Sequence, residues 1–162
     1  MEITEEKFEK VKKEAKEYYD SLDSVQCPFL KRYVQFNQYG FGHILSKSWN
    51  CGRSREEQYI RLRLLQKVVD VIKLSHTLQE YDERKMMIRQ KVNARWEKRP
   101  KTVKYYVFIA IIVSLGVRFK VVVKEIEGGL PFFWSIYPSW KKEIDSNGAV
   151  KKIFYAGNLE ED

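Results

Sequence analysis

The sequence predicts an α+β domain, an antiparallel meander of four to five strands with helices packed on one face. Three observations carry that reading. Charged, amphipathic stretches of helical period occupy the first half, to about Leu78. From Glu83 the apolar residues recur at every second position instead. Between Lys104 and Lys141, three β-rich runs follow one another, separated only by short turn sequences.

In the helical half, residues 3–22 set Phe8, Val11, Ala15, Tyr19 and Leu22 on one stripe, with Thr4 at the start. Asp23-Ser24 and Cys27-Pro28 close that helix, and Lys31–Asn37 alternates weakly through Val34 and Phe36 as a short strand. Gly40-Phe41-Gly42 reads as a turn, after which His43-Ile44-Leu45 opens a brief helix or turn. A long helix is predicted from Arg55 or Glu56 to about Leu78, burying Ile60, Leu64, Leu65, Val68, Val71 and Ile72. Arg53, Arg55, Arg61 and Arg63 crowd its beginning, where cations oppose the helix dipole; Glu56 and Glu57 are the compensation.

In the second half, Glu83 to Trp96 reads as a strand with Met86, Ile88, Val92, Ala94 and Trp96 inward. Lys85, Arg89, Lys91 and Arg95 face outward; a helix continuing from Leu78 is the alternative. Lys98-Arg99-Pro100-Lys101 is a basic loop. Strands Val103–Val113, Val117–Glu127 and Leu130–Pro138 follow, the first pair joined by the three-residue loop Ser114-Leu115-Gly116, the second by a two-residue Gly128-Gly129 turn. These loops set Val113 opposite Val117, Ile111 opposite Phe119, Ile109 opposite Val121, Val123 opposite Trp134 and Val121 opposite Ile136, all on the covered face. The other face then carries Tyr106 beside Lys124 and Phe133, Phe108 beside Val122 and Ser135, and Ala110 beside Lys120 and Tyr137. The run VFIAIIVSL, about half a membrane span in length, reads as the central strand covered on both sides. Trp140–Ile144, a turn at Asp145-Ser146-Asn147-Gly148 and an edge strand Val150–Tyr155 complete a single domain, 1–162, that ends in a frayed acidic tail, Glu160-Glu161-Asp162.

Composition narrows the partners. With 162 residues and a formal net charge of +8, the chain fits a polyanionic partner: RNA, DNA or an acidic protein. Two cysteines and two histidines make neither a disulfide framework nor a zinc site, so no metal is expected. No phosphate-binding glycine loop, nucleophile elbow or zinc-protease helix occurs, so no cofactor is expected either. The charged, acidic N-terminus is unlike a signal peptide, and the expectation is a cytoplasmic protein with no membrane partner. Oligomeric state leaves no signal.

The chemistry-bearing residue is His43, which follows a glycine-bounded break in an arginine-rich chain. Metal-free RNA cleavage needs a base near the 2′-hydroxyl, an acid at the leaving oxygen and cations on the developing phosphorane charge. A histidine near its ordinary pKa of ~6.5 serves as acid or base, and arginines clamp phosphate oxygens. The bland counterparts are a structural histidine and a half-exposed sheet face with solvated lysines.

Four short motifs in order resemble the phage-associated barnase/EndoU/colicin/RelE-like (BECR) nucleases over about residues 38–142. They are His43-Ile44-Leu45, the basic-started helix Arg55 to Leu78, Tyr105-Tyr106-Val107, and Ser135-Ile136-Tyr137-Pro138. The family often carries a second basic or histidine residue soon after the first motif; here Ser46-Lys47-Ser48-Trp49 stands there, with Lys47 the substitute. The resemblance implies helices on one face of a four-stranded sheet and metal-independent endoribonuclease activity, often as a toxin with an acidic antitoxin or inhibitor. Together, the residue chemistry, the sheet face and the resemblance make His43, Arg61, Tyr106 and Ser135 the catalytic candidates, and Lys47, Arg63, Lys120, Lys124, Phe133 and Tyr137 the substrate-binding ones. The competing expectations are a non-catalytic RNA- or DNA-binding module and a basic interaction module for an acidic protein.

Overall fold

A computed structural model describes residues 2–155 and 157–162. The elements are α1 (Glu5–Asp20), β1 (Val25–Cys27), β2 (Arg32–Val34), α2 (Gln38–Leu45), β3 (Ser46–Ser48), β4 (Cys51–Gly52), α3 (Arg55–Leu64) and α4 (Val68–Leu74). Then come β5 (Glu80–Val92), β6 (Arg95–Ile112), β7 (Val117–Ile126), β8 (Phe132–Pro138), β9 (Trp140–Ile144) and β10 (Val150–Phe154). The architecture is α+β, with a four-stranded antiparallel sheet in the order β5-β6-β7-β8. Among the described residues no helix is long and apolar enough to cross a membrane.

Side-chain caps fix the helix starts. Thr4 accepts from the Lys7 amide, and Ser54 from the Glu57 amide. Asn37 accepts from the Tyr39 and Gly40 amides, so Gly40-Phe41-Gly42 is the first turn of α2, not a loop. Gly40 is there for space: a Cβ would strike the Phe133 carbonyl and stand 2.8 Å from the Tyr19 hydroxyl. The predicted long helix is two, because a 3-10 turn at Leu65–Lys67 separates α3 from α4, which ends at Leu74. Of the predicted stripe Leu64, Leu65, Val68 and Ile72 are buried, but Ile60 is exposed, and Tyr59 and Leu62 face the core instead.

Two corrections to the sheet decide what the site can contain. Val113–Leu115 coil into a 3-10 turn capped by Gly116 at φ 60°, so the loop takes Val113 out of the strand. Ile112 therefore faces Val117, Phe108 faces Val121 and Ile109 faces Lys120, one residue off the predicted register. A one-residue slip exchanges every side chain of β6 between faces. Tyr106 thus joins the helical side, and Tyr105 takes its expected place beside Lys124. At the next pairing Val121 does face Ile136, but Val123 faces Phe133, leaving Trp134 as a β-bulge. The β7–β8 connection is also longer than two residues: the Gly129 amide bonds the Ile126 carbonyl at 2.8 Å, and Gly128 has φ 84°.

One cluster joins Phe8, Tyr19, Ile44, Leu62, Leu65, Val68 and Ile72 to Phe108, Val121, Phe133 and Ile136 of the sheet. A smaller one on the opposite sheet face holds Val103, Tyr105, Val107, Val122, Tyr137 and Leu159. The apolar run is not covered throughout, since Ile111, Val113 and Leu115 are exposed.

Glu83 to Trp96 is not one strand. β5 ends at Val92, and Asn93 and Ala94, with φ 49° and 65°, make a two-residue turn into β6. The expected loop Lys98–Lys101 lies within β6, which β7 joins only from Val103 on. Residues 85–102 consequently form a two-stranded arm. β9 and β10 make a separate hairpin. Nor is the acidic end frayed: Glu161 and Asp162 amides bond the Asn158 carbonyl, while Leu159 and Asp162 are buried.

Candidate functional site

The second sheet face meets the helices at the outer edge of β8, and there cationic side chains converge. The bulge turns Trp134 toward α2, whose His43 ring stacks on the indole with centroids 4.0 Å apart and planes 17° from parallel. Arg53, just ahead of the α3 cap, is tied in by its amide to the Leu45 carbonyl and its Nε to the His43 carbonyl, each at 3.0 Å. Arg61 reaches in from α3, its guanidinium carbon 5.0 Å from the Tyr137 ring. From β7, Lys124 Nζ lies 3.8 Å from the Trp134 ring centre.

Residues 158–162 fill the space between these groups. The main-chain oxygen of Asp162 accepts from Arg53 Nη2 at 3.0 Å, Arg61 Nη1 at 3.0 Å and Ser135 Oγ at 2.9 Å. Arg61 Nη1 also donates to Ser135 Oγ at 2.8 Å, and Arg53 Nη2 to the Glu161 carbonyl at 2.8 Å. His43 Nε2 stands 3.2 Å from the Asp162 oxygen and 3.1 Å from Arg53 Nη2; one neutral tautomer donates to the first, the other accepts from the second. The Glu160 carboxylate takes Lys124 Nζ at 2.8 and 3.0 Å and the Tyr105 hydroxyl. Trp134 Nε1 donates to the Leu159 carbonyl at 3.1 Å.

Electrostatics follow from this packing. Burial, then Arg53 and Arg61, push the His43 pKa down to about 2, so the ring is neutral. Burial first and Arg61 next bring Arg53 down to about 10, and burial also lowers Arg61 and Lys124. Arg53 Nη1 is buried and has no partner among the described residues. Cations held this closely without solvent are costly unless anions or hydrogen-bond acceptors meet them, and here the acceptors come from 158–162.

The structure brings together His43, Arg61, Ser135, Lys124 and Tyr137 of the residues singled out in the sequence. Lys120 lies on the same face, paired with Glu80 at 2.7 Å. Others are elsewhere. Tyr106 bonds Glu125 on the helical face, Phe133 is core at 0% exposure, and Arg63 lines a groove with Val11, Glu14 and Leu115. Lys47 sits on β3, with no hydrogen bond or ion pair to the cleft among the described residues. His43 itself is buried.

Sequence reasoning passed over Arg53, Tyr105, Trp134 and the segment 158–162 as parts of the site. The Ser54-x-x-Glu57 cap was the legible signal for Arg53, since it sets that residue just outside the helix. Nothing comparable announces the bulge. No known protein family, curated protein or solved structure matches this chain.

Proposed function

We propose that the cleft is a metal-independent endoribonuclease site of the BECR type, closed in this conformation by residues 158–162. The carrying observation is that Arg53, Arg61 and Ser135 all donate to one oxygen of Asp162, with His43 beside it. Three donors on one oxygen, beside a carboxylate held by Lys124, suit the several anionic oxygens of a phosphodiester. The sheet order β5-β6-β7-β8 under α2, α3 and α4 is read accordingly as the meander and helical cover of that family.

With the segment displaced, solvent reaches His43 and its pKa returns toward the ordinary range, though Arg53 and Arg61 still oppose protonation. The neutral ring takes the proton of the 2′-hydroxyl; the 2′-oxygen attacks phosphorus, and the P–O5′ bond breaks. Arg53, Arg61 and Ser135 hold the non-bridging oxygens as charge builds on them. Lys124 protonates the leaving 5′-oxygen. Loss of Glu160 favours this, because the carboxylate is what holds the Lys124 proton against burial. The products are a 2′,3′-cyclic phosphate and a 5′-hydroxyl.

A second reading has its own support: a cleft that accepts Glu160, Glu161 and Asp162 is suited to an acidic peptide from a partner protein, such as an antitoxin or inhibitor. Incubating RNA with the chain in EDTA, intact and with 158–162 removed, separates the two. Cyclic phosphate ends dependent on His43 support the nuclease; acidic-peptide binding without cleavage supports the interaction module.

A further inference from the structure

The arm formed by residues 85–102 stands outside the cleft and has a chemistry of its own. It contains Lys85, Arg89, Lys91, Arg95, Lys98, Arg99 and Lys101 against a single acid, Glu97. Pairing sorts them by face. Lys85 faces Thr102, Met87 faces Pro100, Arg89 faces Lys98 and Lys91 faces Trp96, so these eight share one side. Glu97, opposite Gln90, is on the other side and is paired with Arg99 at 2.7 Å. The first face therefore holds four cations and no carboxylate.

This face also carries an exposed indole and a thioether. Trp96 is 61% exposed and Met87 59%. The Arg89 guanidinium carbon lies 4.8 Å from the Trp96 ring centre, a cation–π contact on the face that also carries Lys91 and Lys98. A two-stranded ribbon about 26 Å long (eight residues of β5 at ~3.3 Å each) is long enough to follow several nucleotides.

We infer that this arm binds single-stranded nucleic acid, its cations on successive phosphates and Trp96 stacked on a base. An acidic protein would satisfy the charge but not call for an exposed aromatic between cations. The arm's role is capture, and it does not require the cleft to be catalytic.

The test is fluorescence anisotropy with a labelled 2′-O-methyl RNA 12-mer, which resists 2′-hydroxyl cleavage, and with DNA of the same sequence and polyglutamate as the other probes. The intact chain is expected to bind both nucleic acids, with log affinity falling against log salt at about −0.7 per phosphate contacted. Replacing Arg89, Lys91 and Lys98 with Ala should flatten that slope by about two units, and Trp96→Ala should weaken binding about fivefold or more. Melting curves of these exposed-site variants should match the intact chain. Unchanged affinity in both variants, or polyglutamate binding as tightly as RNA, overturns the inference. If the cleft proves inert while these losses are seen, the arm stands and the nuclease reading alone fails.

Discussion

The imidazole of His43 lies flat on the indole of Trp134, and that contact exists because Trp134 is the extra residue of a β-bulge. Without the bulge, strict alternation would put Trp134 on the helical face with Val123, its expected partner, and Phe133 on the face of Lys124. The bulge lets Phe133 enter the core while Ser135 stays on the cleft side opposite Val122. One irregular residue thus sets both the core and the site.

Phe133→Ala should cost about 3–5 kcal/mol, as for a fully buried aromatic. Ile111→Ala, at an exposed position of the neighbouring apolar run, should change stability by no more than ~0.5 kcal/mol. Urea denaturation of the two variants beside the parent checks the assigned faces; a large loss at Ile111 would restore the predicted register.

Gly40→Ala should destabilise although alanine is the better helix former by ~1 kcal/mol. The added Cβ meets the Phe133 carbonyl and the Tyr19 hydroxyl, and overpacking of this kind costs about 1–3 kcal/mol. Gly42→Ala, with open space at its Cβ, should stabilise or do nothing. Thermal melts of the pair decide.

Much of the fold was readable from local pattern. The cap at Thr4, a helix start at Arg55 and the facing of Val121 with Ile136 needed only residue types and strand period. What failed was geometry that a few residues hide. Val113 is apolar and β-branched and reads as the last residue of the strand, so the loop was counted one residue short and Tyr106 was placed where Tyr105 stands. Asn93-Ala94 lacks the glycine that marks most primed turns, so the arm was read as strand and loop. Of the site, His43, Arg61 and Ser135 were picked out as residue types suited to the chemistry. Their closure by 158–162 was not legible, because a run of acids ordinarily remains in solvent and only its long-range partners hold this one down.

Acid should loosen the closed form. The folded-state pKa of His43 is about 2, against an ordinary value of 6.5, so below about 6.5 the unfolded chain takes up a proton that the closed fold refuses. His43 therefore costs nothing above that pH, and it destabilises the closed fold by up to ~1.4 kcal/mol per pH unit as pH falls toward the folded value. Arg53, Arg61 and Lys124 around the ring work in the same sense, while the Asp162 carboxyl, held above its usual range by burial, works in the other. Melting temperatures measured from pH 8 to pH 5 should fall, and His43→Gln should flatten the decline. Parallel profiles would mean that His43 is already solvated.

Within the cleft, Arg61→Lys should keep the charge but lose the geometry that joins Ser135 and the Asp162 oxygen. The variant is expected to lower RNA cleavage by about tenfold or more in an opened chain. Full activity would move the phosphate clamp to Arg53 alone.

Whether residues 158–162 occupy a working active site is decided by cleavage of labelled RNA in EDTA at neutral pH. The intact chain, a chain lacking 158–162 and a Glu160→Lys chain are compared, each also carrying His43→Ala, with circular dichroism confirming folding. Cleavage is expected to be faster in both opened chains than in the intact one, with cyclic phosphate ends and a loss of about two to four orders of magnitude with His43→Ala. Folded, opened chains that leave RNA intact, or that cleave it equally well without His43, would contradict it.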